Sequence, residues 1–143
     1  MAINFTSHEV KVNLKDKTRL KAYIKEKFTR EGQKVKDLQY VFCSDDYLLE
    51  INQQFLQHDT YTDIVTFELG TDPKVTEGEI YISIDRVKEN AEKFKVPVEQ
   101  ELHRVIFHGL LHLCGYKDKS KEQAATMRAK ENECLHEYLG VTL

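Results

Sequence analysis

The alternation of apolar and polar positions divides the chain into strands early and helices late. Ile3-Asn4-Phe5-Thr6 alternates as a strand, and Val10 to Val12 is expected to continue it or pair beside it. Leu20, Tyr23, Ile24, Lys27 and Phe28 recur at helical spacing, which predicts a helix from Lys17 to Glu31 with the Lys27 stem lying along the apolar face and Gly32 ending it. Leu38, Tyr40 and Phe42 mark a second strand. Ser44 then suits the cap of a short helix to about Gln54, with Asp45 and Asp46 in its positive first turn. Asn52 to Asp63 begins as a polar stretch of the kind that often binds ligands, and Ile64 to Phe67 follows as a β-branched strand. The Gly- and Pro-containing run from Glu68 to Gly78 reads as a turn, and Glu79 to Ile84 as a fourth strand antiparallel to the third.

Helices occupy the remainder. Asp85 is expected to cap one that carries Val87, Ala91 and Phe94, and Pro97 to stand in the first turn of the next. Around that next helix Leu102, Val105, Ile106, Gly109, Leu110 and Leu113 form one apolar stripe, and His108 and His112 flank it. Ser120-Lys121-Glu122-Gln123 matches a capping box, opening a last helix with Ala124, Met127, Glu131, Cys134, Leu135 and Tyr138 on one face and Gly140 at its end. The sum is an α+β fold: one domain over residues 1–143, a mixed sheet of about four strands with helices packed on it, and a candidate metal site on a helix of the C-terminal half.

That candidate is His108-Gly109-Leu110-Leu111-His112-Leu113-Cys114-Gly115-Tyr116-Lys117-Asp118. Residues four apart on a helix share a face, so both imidazoles can reach one ion. Gly115 adopts a left-handed conformation without a Cβ penalty, and the returning chain offers Asp118 as third ligand. Two imidazoles and a carboxylate with an open position form the ligand set of a catalytic zinc, which brings its water to a pKa of about 7. The same set resembles an iron(II) facial triad, so another divalent transition metal is an alternative. The expected catalytic set is His108, His112 and Asp118 acting through that water. Positive charge for a developing phosphate anion could come from the ion, Lys117, Lys119 or His58, of which the lysines and His58 are also the candidate contacts to a phosphodiester substrate. Gly109 weakens a metallopeptidase reading, because HExxH peptidases place their general base there.

Composition changes this picture little. With 41% hydrophobic and 31% charged residues and a net charge of −3, the chain resembles a soluble globular domain, large enough to fold without a metal. No apolar run approaches the roughly 18 residues of a membrane span, and the beginning lacks a secretory pattern, so a cytoplasmic protein is expected. Residues 1–40 carry ten Lys and Arg against five Asp and Glu, so the basic end is the amino-terminal one. Three scattered cysteines fit neither a disulfide framework nor a CxxC knuckle; Cys114 reads as a packing residue, and His8, His103 and His136 as surface histidines.

HGLLHLCGY, preceded by TDIVTF and GEIYIS, resembles the YbeY family of bacterial endoribonucleases and rRNA maturation factors, over roughly Asp45 to Tyr138 with Met127 and Glu131 included. The resemblance implies a zinc-dependent, single-strand-specific endoribonuclease that matures the 3' end of small-subunit (16S) rRNA and serves ribosome biogenesis and quality control. The implied partners are single-stranded rRNA, the small ribosomal subunit, ribosomal proteins and an assembly GTPase, with no membrane. This chain departs from the family pattern twice. Lys117-Asp118 stands where the family has Asp-His, which gives Asp118 the place of a third histidine ligand. Leu56 stands where the family commonly has an arginine for RNA phosphate, with His58 nearby as a substitute. A noncatalytic ribosome-assembly factor with a structural metal is the alternative function.

Overall fold

The computed structural model describes residues 2–56 and 61–143. Its elements in chain order are β1 (Ala2–Ser7), α1 (Lys17–Arg30), β2 (Lys34–Cys43), α2 (Asp45–Leu56), β3 (Ile64–Glu68), β4 (Val75–Ser83), α3 (Ile84–Phe94), α4 (Val98–Leu113) and α5 (Lys121–Leu139). They form the single α+β domain expected. The four strands make one mixed sheet in the order β1-β2-β4-β3. The crossover through α1 makes β2 parallel to β1, and β4 runs parallel to β2 with Tyr40 opposite Ile80. β3 closes the far edge antiparallel to β4, with Ile64 opposite Ile82.

One apolar core joins the sheet to α1, α4 and α5, with Leu20, Phe28, Leu38, Tyr40, Ile80, Ile106 and Leu110 fully buried. The stripe on α4 is buried throughout, from Leu102 to Leu113. At Gly109 the helix lies close against the sheet: a Cβ there would lie 3.0 Å from Ile80 Cδ1 and 3.1 Å from Ile64 Cδ1. This close approach brings the histidine helix alongside the start of β3.

Several caps fall as expected. Ser44 Oγ accepts from the Tyr47 N–H, and both halves of the Ser120–Gln123 capping box form. Gly115, at φ +102°, turns the chain away after α4.

Six expectations need correction. Residues 10–12 form no strand; Val10 and Val12 are partly buried against the core instead. The connection after β3 is shorter than the turn expected, because β4 begins at Val75 and carries Gly78 within it. There a Cβ would meet the Phe67 carbonyl oxygen at 2.9 Å and Leu113 Cδ1 at 3.3 Å, so the absent side chain lets strand and helix close together. Ile84 opens α3 rather than ending β4, and Ser83 caps α3 in place of Asp85 by accepting from the Arg86 N–H at 3.1 Å. The Asp85 carboxylate is engaged elsewhere, accepting the Asp45 N–H at the start of α2 at 2.9 Å. Pro97 stands one position earlier than expected, as the N-cap of α4. His103 is buried: its ring stacks on Tyr138 and its Nδ1 lies 2.7 Å from the Glu99 carbonyl.

Candidate metal centre

α4 and α5 pack against each other, and the site begins in that contact. His108 faces outward from the core stripe and places Nδ1 2.7 Å from Glu131 Oε2 on α5. The other oxygen of Glu131 accepts from Arg104 Nη1 at 3.0 Å, one turn back along α4. The Glu131 side chain is only 7% exposed and Arg104 only 12%. A carboxylate so buried is costly unless paired, and here both of its oxygens are occupied. The arrangement assigns Nδ1 of His108 to Glu131 and leaves Nε2 to the outside, where Asp118 Oδ2 lies 3.4 Å away. A carboxylate that fixes a histidine through one nitrogen while the other faces a cleft is the usual support for a metal-ligating imidazole.

The cleft has a volume of about 940 Å³, and His108, His112, Asp118, Lys119 and Glu131 all line it. Asp63, just before β3, contributes a half-buried carboxyl, while Ile64, Val65, Leu56 and Phe94 give the cleft an apolar side. Burial pulls the His108 pKa down, but the Glu131 hydrogen bond and the charges of Glu131, Asp118 and Asp63 more than reverse it, and the net shift is upward. Burial pushes Glu131 up, and the hydrogen bonds from His108 and Arg104 with their charges bring it below the ordinary carboxylate range. The two shifts have one cause, the contact between the imidazole and the carboxylate. His112 shifts downward, through burial first and the neighbouring His108 charge second. Asp63 and Glu101 are both raised, chiefly by burial.

The structure therefore brings His108, His112, Asp118 and Lys119 to one cleft. Lys117 lies in a separate depression with Gly115, Tyr116 and Gln123. His58 lies outside the described residues. Among the described residues, no three His, Cys, Asp or Glu side chains converge as tightly as a bound ion requires. The fit to a metal is one of donor chemistry and of the oriented His108 ring. The residue that carries that orientation, Glu131, was visible in the sequence as a glutamate on the apolar face of α5; the signal is a charge at a position the helical pattern assigns to the core.

A mixed sheet covered by helices, with a histidine pair on α4 and the Asp118 carboxylate beside an open cleft, makes this an α+β protein with a candidate site at that cleft. Its relatives carry the assignment further. The family model for endoribonuclease YbeY matches residues 2–139. Endoribonuclease YbeY of Flavobacterium psychrophilum is 46% identical over 129 residues, covering 90% of this chain and 91% of the relative. That of Phocaeicola vulgatus is 44% identical over 133 residues, covering 93% and 96%. The solution structure of TM1509 from Thermotoga maritima superimposes with a TM-score of 0.65 at 33% identity, covering 97% of this chain and 93% of that one. The chain belongs to the endoribonuclease YbeY family.

Proposed function

We propose that this chain is a zinc-dependent endoribonuclease that cuts single-stranded RNA in the cleft between α4, α5 and β3. The observation that carries the reading is the His108 ring, fixed by Glu131 at 2.7 Å with its second nitrogen toward Asp118. His108, His112 and Asp118 would hold the ion, which when bound supplies a Lewis acid able to activate water near neutral pH. The rest is work for the chain itself. Glu131 keeps the His108 ring in one tautomer, and Arg104 balances the Glu131 charge so that the carboxylate stays buried and aligned. Lys119 places a cation on the cleft wall, suited to a phosphate oxygen. The apolar side formed by Ile64, Val65, Leu56 and Phe94 suits the faces of unpaired bases.

The substrate in this reading is small-subunit rRNA near its 3' end, and the setting is ribosome maturation and quality control in the cytoplasm. Among the described residues no helix is long and apolar enough to cross a membrane. A peptidase role gains nothing from the fold: Gly109 packs against Ile64 and Ile80, so a general base at that position would meet the side chains of the sheet at about 3 Å. The reading is tested by metal content. Purified chain should carry one zinc per molecule, and Asp118→Ala should bind zinc at least tenfold more weakly. Equal zinc affinity in Asp118→Ala would remove the third ligand from this account.

A further inference from the structure

The sequence contains five arginines. Four are committed by hydrogen bonds to the protein: Arg19 to the Tyr138 carbonyl, Arg30 to Glu137, Arg86 to Asp45 and Arg104 to Glu131. Arg128 makes no hydrogen bond among the described residues. Its side chain is 57% exposed, yet it lines the cleft that holds His108 and His112. On α5 it sits four residues after Ala124 and three before Glu131, and all three line that cleft, so the helix carries it on the face that borders the site. Among the described residues its one ion pair is a long contact of 3.8 Å to Glu131 Oε1, an oxygen that already accepts from Arg104 at 3.0 Å. Arg128 is therefore an uncommitted guanidinium, with five N–H donors, on the wall of the candidate active site.

We infer that Arg128 binds a phosphate of the single-stranded RNA backbone in this cleft. The assignment rests on reading the cleft as an RNA site. A guanidinium is suited to the task because its planar fork matches two phosphate oxygens and stays charged at any physiological pH. Glu131 does not compete for it, since His108 and Arg104 occupy both carboxylate oxygens. Lys119, on the same cleft, supplies a second cation as a point charge.

The test is binding of a fluorescein-labelled single-stranded oligoribonucleotide to the full chain, followed by anisotropy over a range of KCl concentrations, with the integrity of the RNA checked on a gel. Arg128→Ala should weaken binding about tenfold and reduce the slope of log affinity against log salt by about 0.7, the loss of one phosphate contact on a single strand. Arg128→Lys should keep the slope while losing part of the affinity. Lys130→Ala removes a charge from the same helix outside the cleft and should leave the slope unchanged. Because Arg128 is exposed and makes no hydrogen bond among the described residues, its variants should melt with the parent protein, and a melting curve checks this. Affinity and slope unchanged in Arg128→Ala would overturn the assignment while leaving the RNA reading intact. Failure of the parent chain to bind RNA would overturn both.

Discussion

Removing the Glu131 carboxylate is the perturbation whose consequences follow most directly from the structure. Glu131→Ala deletes the acceptor of two charge-assisted hydrogen bonds, from His108 at 2.7 Å and from Arg104 at 3.0 Å. It leaves the Arg104 guanidinium, 12% exposed, without its partner. Breaking a buried pair from one side costs about 3–5 kcal/mol, and the partial exposure of His108 places this case near the lower limit, about 3 kcal/mol. At about 3 °C per kcal/mol for a domain of this size, the melting temperature should fall by about 9 °C. Glu131→Gln keeps the volume and one acceptor, so it should cost about 1.5 kcal/mol. Urea denaturation measures both, and the slope m should match the parent, showing that the folded and unfolded states retain their exposed surface. Zinc affinity should fall about 10- to 100-fold in either variant, since the His108 ring loses its fixed orientation. A loss of less than about 1 kcal/mol in Glu131→Ala, with m unchanged, would show that the carboxylate does not hold this site together.

Two other predictions concern the frame around the site. Gly109→Ala should destabilise the fold by about 1 kcal/mol, because overpacking against Ile64 and Ile80 at about 3 Å outweighs the gain in helix propensity; an increase in stability would show that α4 can retreat from the sheet freely. The Arg30 hydrogen bond holds the Glu137 carboxyl down to about 2. A depressed carboxylate stabilises the fold above its unfolded pKa of about 4.3, and that contribution disappears as pH falls towards 2. With Glu137 exposed, solvent screening limits the contribution to about 1 kcal/mol. Glu137→Gln should accordingly flatten the stability profile between pH 5 and pH 2, and a profile parallel to the parent's would contradict the assignment.

Much of this fold was legible in the sequence because local chemistry and tertiary packing agree. The α5 capping box, the Gly115 turn and the α4 stripe are each decided within a few residues, and each forms as expected. The misses share a cause: long-range partners. Asp85 has the chemistry of a cap, but the N–H it satisfies belongs to α2, forty residues earlier. His103 read as surface because it is polar, yet Tyr138 from α5 covers it. Gly78 read as a turn residue, while its role is to let Leu113 approach the sheet. At the site, the spacing of His108 and His112 was enough to nominate a shared cleft. That His108 is oriented by Glu131, twenty-three residues away, depended on how α4 and α5 pack. Lys117 and Lys119 are indistinguishable as sequence, and only the turn after Gly115 sends one to the cleft and the other to a separate depression.

The most direct test of the central claim is a gel assay of single-stranded rRNA cleavage by the purified chain, run after chelation and again after zinc is restored. The account predicts that chelation abolishes cleavage, that zinc restores it, and that His112→Ala stays inactive in both conditions. Cleavage by the chelated protein at the rate of the zinc-restored one, or full activity in His112→Ala, would contradict it.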